Sequence, residues 1–186
     1  TGNFSDAEFG GKSMQISLAS ALLNKNLLLA LSKNAVKSGF SRSVCLEVSH
    51  HGPLLIKIPN AFIEVGWSEK EWADKKACYV VANSILDCFS NFKSAFKIAF
   101  GVGGSHYASE FSKIQLKSNI AVSHILPKYF DDSFSFELFT QLISRTNEKI
   151  DFALIDKSSL SSSQISLIEA YCLKSGISLI DCKSIN

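Results

Sequence analysis

The sequence predicts an α/β fold: a mixed, mainly parallel sheet flanked by helices. Three observations carry this. Short runs of β-branched and apolar residues recur along the chain, segments with apolar residues at three- and four-residue steps lie between them, and several of the short runs are continuously apolar. Continuous apolar strands are buried on both faces, and parallel neighbours need right-handed helical crossovers, so helices cover the sheet. The 186 residues suit a single domain with one buried core, spanning 1–186.

The elements follow in order. Thr1 to Lys12 is small, polar and Gly-rich and reads as a loop. Ser13 is a candidate cap for a helix carrying Ile16, Ala19, Ala21, Leu23, Leu27, Leu28, Leu31 and Ala35, which Gly39 ends. Ser43 to Ser49 alternates as a strand does, and His50-His51-Gly52-Pro53 breaks it. A second strand is expected over Ala61 to Gly66, then a helix opened by Ser68 and Glu71 as a capping box and running to about Phe92. Lys97 to Val102 is a short apolar strand ended by Gly103-Gly104. Thereafter the pattern predicts helix from about Ser109 to Lys117, strand Asn119 to Ser123, helix from about Ser133 to Thr146, strand Asp151 to Asp156, helix Ser161 to Ser175 and strand Ile177 to Asp181.

Composition excludes several function classes. Hydrophobic residues at 46% with mean hydropathy +0.15 describe a chain that folds. Lys and Arg number 19 against 17 Asp and Glu, a net charge of +2, which argues against a protein that grips long duplex by charge alone. Five cysteines without a C-x-x-C pair indicate neither a disulfide framework nor a cysteine zinc site, and a reducing, cytoplasmic setting fits them. No apolar run approaches the roughly 20 residues that span a bilayer, so no membrane partner is expected. The chain opens on Thr1 instead of Met, which suggests a preceding segment.

All four histidines fall at or just beyond the C-terminal end of an expected strand: His50 and His51 after the first, His106 after Lys97 to Val102, and His124 after Asn119 to Ser123. Ligands of open α/β sheets bind outside those ends. Glu47 and Glu64 lie on the expected strands of the same region, and a carboxylate in an apolar strand needs a partner. Imidazoles with a carboxylate are the ligands of a catalytic zinc, yet spacing alone does not separate a metal centre from a metal-free acid/base site. Gly103 and Gly104 offer backbone amides to substrate, and Lys128 with Tyr129 places a cation and a phenol beside the same edge. Two decoys are set aside. Gly103-Gly104-Ser105-His106-Tyr107 imitates a nucleophile elbow, but Tyr107 stands where a small residue is required. Gly11-Lys12-Ser13 imitates the end of a P-loop, but Asp6 stands where the first glycine belongs.

The ordered set Val44-Cys45-Leu46-Glu47-Val48-Ser49-His50-His51-Gly52-Pro53, Phe62-Ile63-Glu64-Val65-Gly66 with Glu71-Trp72, Gly103-Gly104-Ser105-His106-Tyr107-Ala108 and Ser123-His124-Ile125-Leu126-Pro127-Lys128-Tyr129 resembles the archaeal and plant type of D-aminoacyl-tRNA deacylase. Thr1-Gly2-Asn3 and Phe9-Gly10-Gly11 match that family's segment ahead of its HHGP motif. The resemblance implies a phosphorylase and peptidyl-tRNA hydrolase type of sandwich, and a zinc-associated hydrolase that cleaves the ester between a D-amino acid and the terminal ribose of tRNA. It also implies that a family portion ahead of Thr1 is lacking. On this reading zinc is held by some of His50, His51, His106 and His124 with Glu47 or Glu64. His50, Lys128 and the carboxylate left free serve catalysis, while Gly103, Gly104, Tyr107 and Tyr129 contact substrate. The partner is the acceptor end of D-aminoacyl-tRNA, met by a monomer.

Overall fold

In the computed structural model, residues 2–4, 12–54, 56–66, 68–130 and 134–185 are described. The expected N-terminal loop falls largely on 5–11, outside the described residues, as does the Ser133 start expected for one helix. On either side of that loop, β1 (Gly2–Asn3) pairs antiparallel with β2 (Gln15–Ile16). The first helix, α1 (Ala21–Lys37), therefore begins later than Ser13. Ser20 is its cap: the Ser20 hydroxyl accepts the Leu23 N–H, and the Glu148 carboxylate accepts the Ala21 N–H at 2.9 Å. Both satisfy amides that the first helical turn leaves without partners, and the carboxylate also meets the positive end of the helix dipole.

The single helix expected from Ser68 to Phe92 is two: α2 (Glu69–Trp72) and α3 (Lys75–Ser90). Asp74 divides them, because its carboxylate accepts the Lys76 and Ala77 N–H groups and starts a new helix instead of continuing the old one. Ser68 and Glu71 bond each other through their side chains, with no cap on the backbone.

The remaining elements are β3 (Lys97–Val102), α4 (Ser109–Lys117), β4 (Ile120–Leu126), α5 (Phe136–Ser144), β5 (Phe152–Ile155), α6 (Ser162–Ser175) and β6 (Leu179–Asp181). The sheet order is β4-β3-β5-β6, and every neighbouring pair is parallel. The expected α/β sheet flanked by helices is present. Alternation along β3 decides the layers: Ile98, Phe100 and Val102 join the core that includes Phe139, Leu142 and Ile168 of α5 and α6, while Ala99 packs with Phe111 and Ile114 of α4. From β3 the chain crosses through α4 to β4 on one side, then through α5 to β5 on the other, so its direction of travel across the sheet reverses at β3. Such a reversal leaves a crevice at the carboxyl ends of the strands.

Candidate functional site

The segments Ser43 to Ser49 and Ala61 to Gly66 do not form the two expected strands. Among their described residues the only bridge joins Glu47 to Tyr107, antiparallel. Around it Val48 donates its N–H to the His106 carbonyl at 3.0 Å, and Ala108 donates to the Leu46 carbonyl at 2.9 Å. These two bonds lay the chain before His50 against the glycine turn after β3, which brings Glu47 to His106.

The chemistry then gathers at one point. The His50 Nε2–H donates to Glu47 Oε2 at 3.0 Å, and His106 Nε2 stands 3.6 Å from Glu47 Oε1. The His50 ring lies 4.7 Å from His106 and 4.4 Å from His51. Hydrogen bonding from His50, helped by the neighbouring imidazoles and opposed by burial, holds the Glu47 carboxyl below its ordinary range. Tyr129 stands close enough to feel this acid: burial first, and then the Glu47 charge, push its phenol up.

Among the described residues, Glu47, His50 and His106 form a group able to hold a metal ion, with one donor atom of each lying within 4.8 Å of the others. Two imidazoles with one carboxylate are a donor set that a catalytic zinc takes. His51 is placed otherwise: its Nδ1–H donates to the Gly52 carbonyl at 2.6 Å, while Nε2 faces Glu64 Oε1 at 3.9 Å. His124 is brought elsewhere. Strand β4 runs to Leu126, so His124 lies inside it instead of beyond its end, fully buried, with both ring nitrogens in hydrogen-bond reach of Ser49 and Arg145.

The glycines have a structural task. Gly103 has φ +104, where an added Cβ would come within 2.7 Å of Ser159 Oγ. Its N–H donates to the Leu126 carbonyl at 2.8 Å, and the Gly104 N–H donates to Ser159 Oγ at 2.8 Å. Both amides are thus taken by the protein, against the expectation that they meet substrate. Lys128 is exposed and tied by its N–H to the Gly104 carbonyl at 3.0 Å.

A cleft of about 720 Å³ opens over the cluster. Glu47, His50, His106 and Tyr107 line it together with Glu64, Ser68, Glu71 and Trp72. Sequence pattern alone assigns Trp72 no task. Its signal is exposure, 55% for a large aromatic residue beside an acid and imidazole cluster, which composition alone cannot register.

A family model described as D-aminoacyl-tRNA deacylase matches residues 1–180. The chain belongs to the D-aminoacyl-tRNA deacylase family. Among relatives so named, that of Thermococcus kodakarensis is 39% identical over 157 residues, 84% of this chain and 56% of the relative. That of Archaeoglobus fulgidus is 30% identical over 185 residues, covering 100% of this chain and 66% of the relative. A crystal structure of a conserved protein of unknown function superposes with a TM-score of 0.91 at 30% identity, covering 99% of this chain and 64% of that one. This deacylase-family chain therefore spans between about half and two thirds of the length of the proteins it matches. Among the described residues, no helix is long and apolar enough to cross a membrane.

Proposed function

We propose that this chain carries the hydrolytic centre of a D-aminoacyl-tRNA deacylase, releasing free D-amino acid and tRNA. The observation that carries the reading is the convergence of Glu47, His50 and His106 within 4.8 Å in the lining of an accessible cleft, in a chain of this family.

On this reading Glu47, His50 and His106 would hold zinc, which when bound would make a water more acidic and polarise the ester carbonyl. Glu64, in the lining of the same cleft with its side chain 45% exposed, accepts the proton of the attacking water. The water oxygen bonds to the ester carbon, the bond from that carbon to the ribose oxygen breaks, and the ribose oxygen leaves with the proton. Tyr107, Tyr129 and Trp72 provide surfaces for the aminoacyl group and the terminal nucleoside. Lys128, on the turn that leads away from β4, meets a phosphate of the acceptor end.

The near-even charge supports contact with the end of tRNA alone, read as a shallow salt dependence of binding. A tRNA substrate and unpaired cysteines support a cytoplasmic setting. The test is side-by-side hydrolysis of D- and L-tyrosyl-tRNA by purified protein, with zinc and after chelation. Zinc-dependent release of D-tyrosine alone is expected. Turnover that survives chelation would replace the metal with Glu47 and His50 as an acid/base pair, and binding without any turnover would overturn the reading.

A further inference from the structure

We propose that His124 is a positioning residue that fixes the Glu47–His50 segment through the hydroxyl of Ser49. The inference rests on the proposed function for what that segment does, and on hydrogen bonds alone for how it is held.

The Arg145 carbonyl, 3.1 Å from His124 Nε2, can only accept, so Nε2 carries the proton. Nδ1 is then a bare acceptor, and Ser49 Oγ, 3.2 Å away, must donate to it. That leaves the Ser49 oxygen to accept the Ile125 N–H at 3.3 Å, while the Ser49 N–H donates to the Ile125 carbonyl at 2.9 Å. The Ser17 backbone is a further hydrogen-bond partner of the ring. Burial, which pushes the imidazole down to about 3, keeps the ring in this neutral tautomer.

Ser49 stands between Glu47 and His50, in chain with no strand of its own. The neighbouring residues are held as well: Leu46 N–H by Ser112 Oγ at 2.8 Å, Val48 N–H by the His106 carbonyl at 3.0 Å and His51 N–H by Asn3 Oδ1 at 2.9 Å. The His124 link differs because it ends in the buried sheet. The Arg145 carbonyl it bonds also accepts the Ala19 N–H at 2.9 Å, ahead of α1. One imidazole thus ties the approach to α1, the end of α5 and the candidate site together. Outer groups that orient metal ligands commonly carry about 10- to 100-fold in affinity or activity.

The test compares Ser49→Ala, His124→Gln, His124→Asn and the double variant Ser49→Ala/His124→Gln. Asn offers an acceptor near the place of Nδ1, whereas Gln offers only a donor near that of Nε2. Amide exchange over residues 47–50 should quicken in S49A and H124Q with β3 and β5 unchanged, and H124N should restore protection. In the same proteins kcat for D-tyrosyl-tRNA should fall about 10- to 100-fold with KM nearly constant, and the double variant should be no worse than either single. Unchanged exchange in S49A, or losses that multiply in the double variant, would overturn the relay. Should His124 variants fail to fold, S49A decides alone by exchange. If the wild-type protein shows no turnover, the proposed function fails, while the exchange result still judges the relay.

Discussion

Between Lys97 and Ile155 the chain lays down three parallel strands whose side chains are nearly all enclosed; between Ser41 and Gly66 the described residues form no helix and only the single bridge at Glu47. The first region supplies the buried strands and the second the acids and two of the imidazoles. In a strand, residues three apart point to opposite faces, so a regular strand through Glu47 and His50 would separate them. The irregular backbone brings their side chains to 3.0 Å, and His51, with φ 49, turns the chain directly afterwards. Giving up the ladder is what lets one short segment aim several groups at one point.

Breaking the site without touching the sheet gives the largest effect. His106→Ala should lower kcat/KM for D-aminoacyl-tRNA by about 1,000-fold, measured in single turnover. The His106 side chain is 47% exposed, so its melting temperature should stay within about 2 °C of wild type. The converse experiment breaks the sheet's cover. Phe139, fully buried in α5, should cost about 3–5 kcal/mol as Phe139→Ala in urea unfolding, with turnover per folded molecule unchanged.

Gly101→Ala probes the join between the regions. Its Cβ would stand 2.7 Å from Phe111 Cε1, directly under the glycine turn, and the crowding should cost about 1–3 kcal/mol in the same assay. The smallest effect concerns pH. Lys25 is enclosed in α1, donates to the Gln115 and Ser118 carbonyls at the end of α4, and burial pushes it down to about 8. The unfolded chain holds that proton up to about 10.5, so between these values it binds more protons than the fold and stability rises with pH. Lys25→Met should remove that rise, seen by comparing urea midpoints at pH 7.5 and 10 across the two proteins.

The difference between the regions also explains what was legible. β3, α4, α6 and the parallel order follow from local apolar period and capping, so Lys97 to Val102 and Ser109 to Lys117 were readable to the residue. The break at Asp74 was not, because a continuous helix and a new cap compete and only packing chooses between them. Glu47, His50 and His106 could be picked out as residue types near strand ends. His124 could not be told from them, since the same residue type serves in the core once its two nitrogens find partners.

The sequence by itself determined an α/β domain, its element order, the residues able to do acid, base or metal chemistry, and the family. Those properties are local, set by apolar spacing, turn residues and an ordered set of motifs. Only the tertiary structure decided that Glu47, His50 and His106 meet while His124 is buried, that the amides of Gly103 and Gly104 are taken by Leu126 and Ser159, and that Trp72 borders the cleft. Convergence depends on hydrogen bonds between segments tens of residues apart, and no local pattern encodes which partner each donor will find.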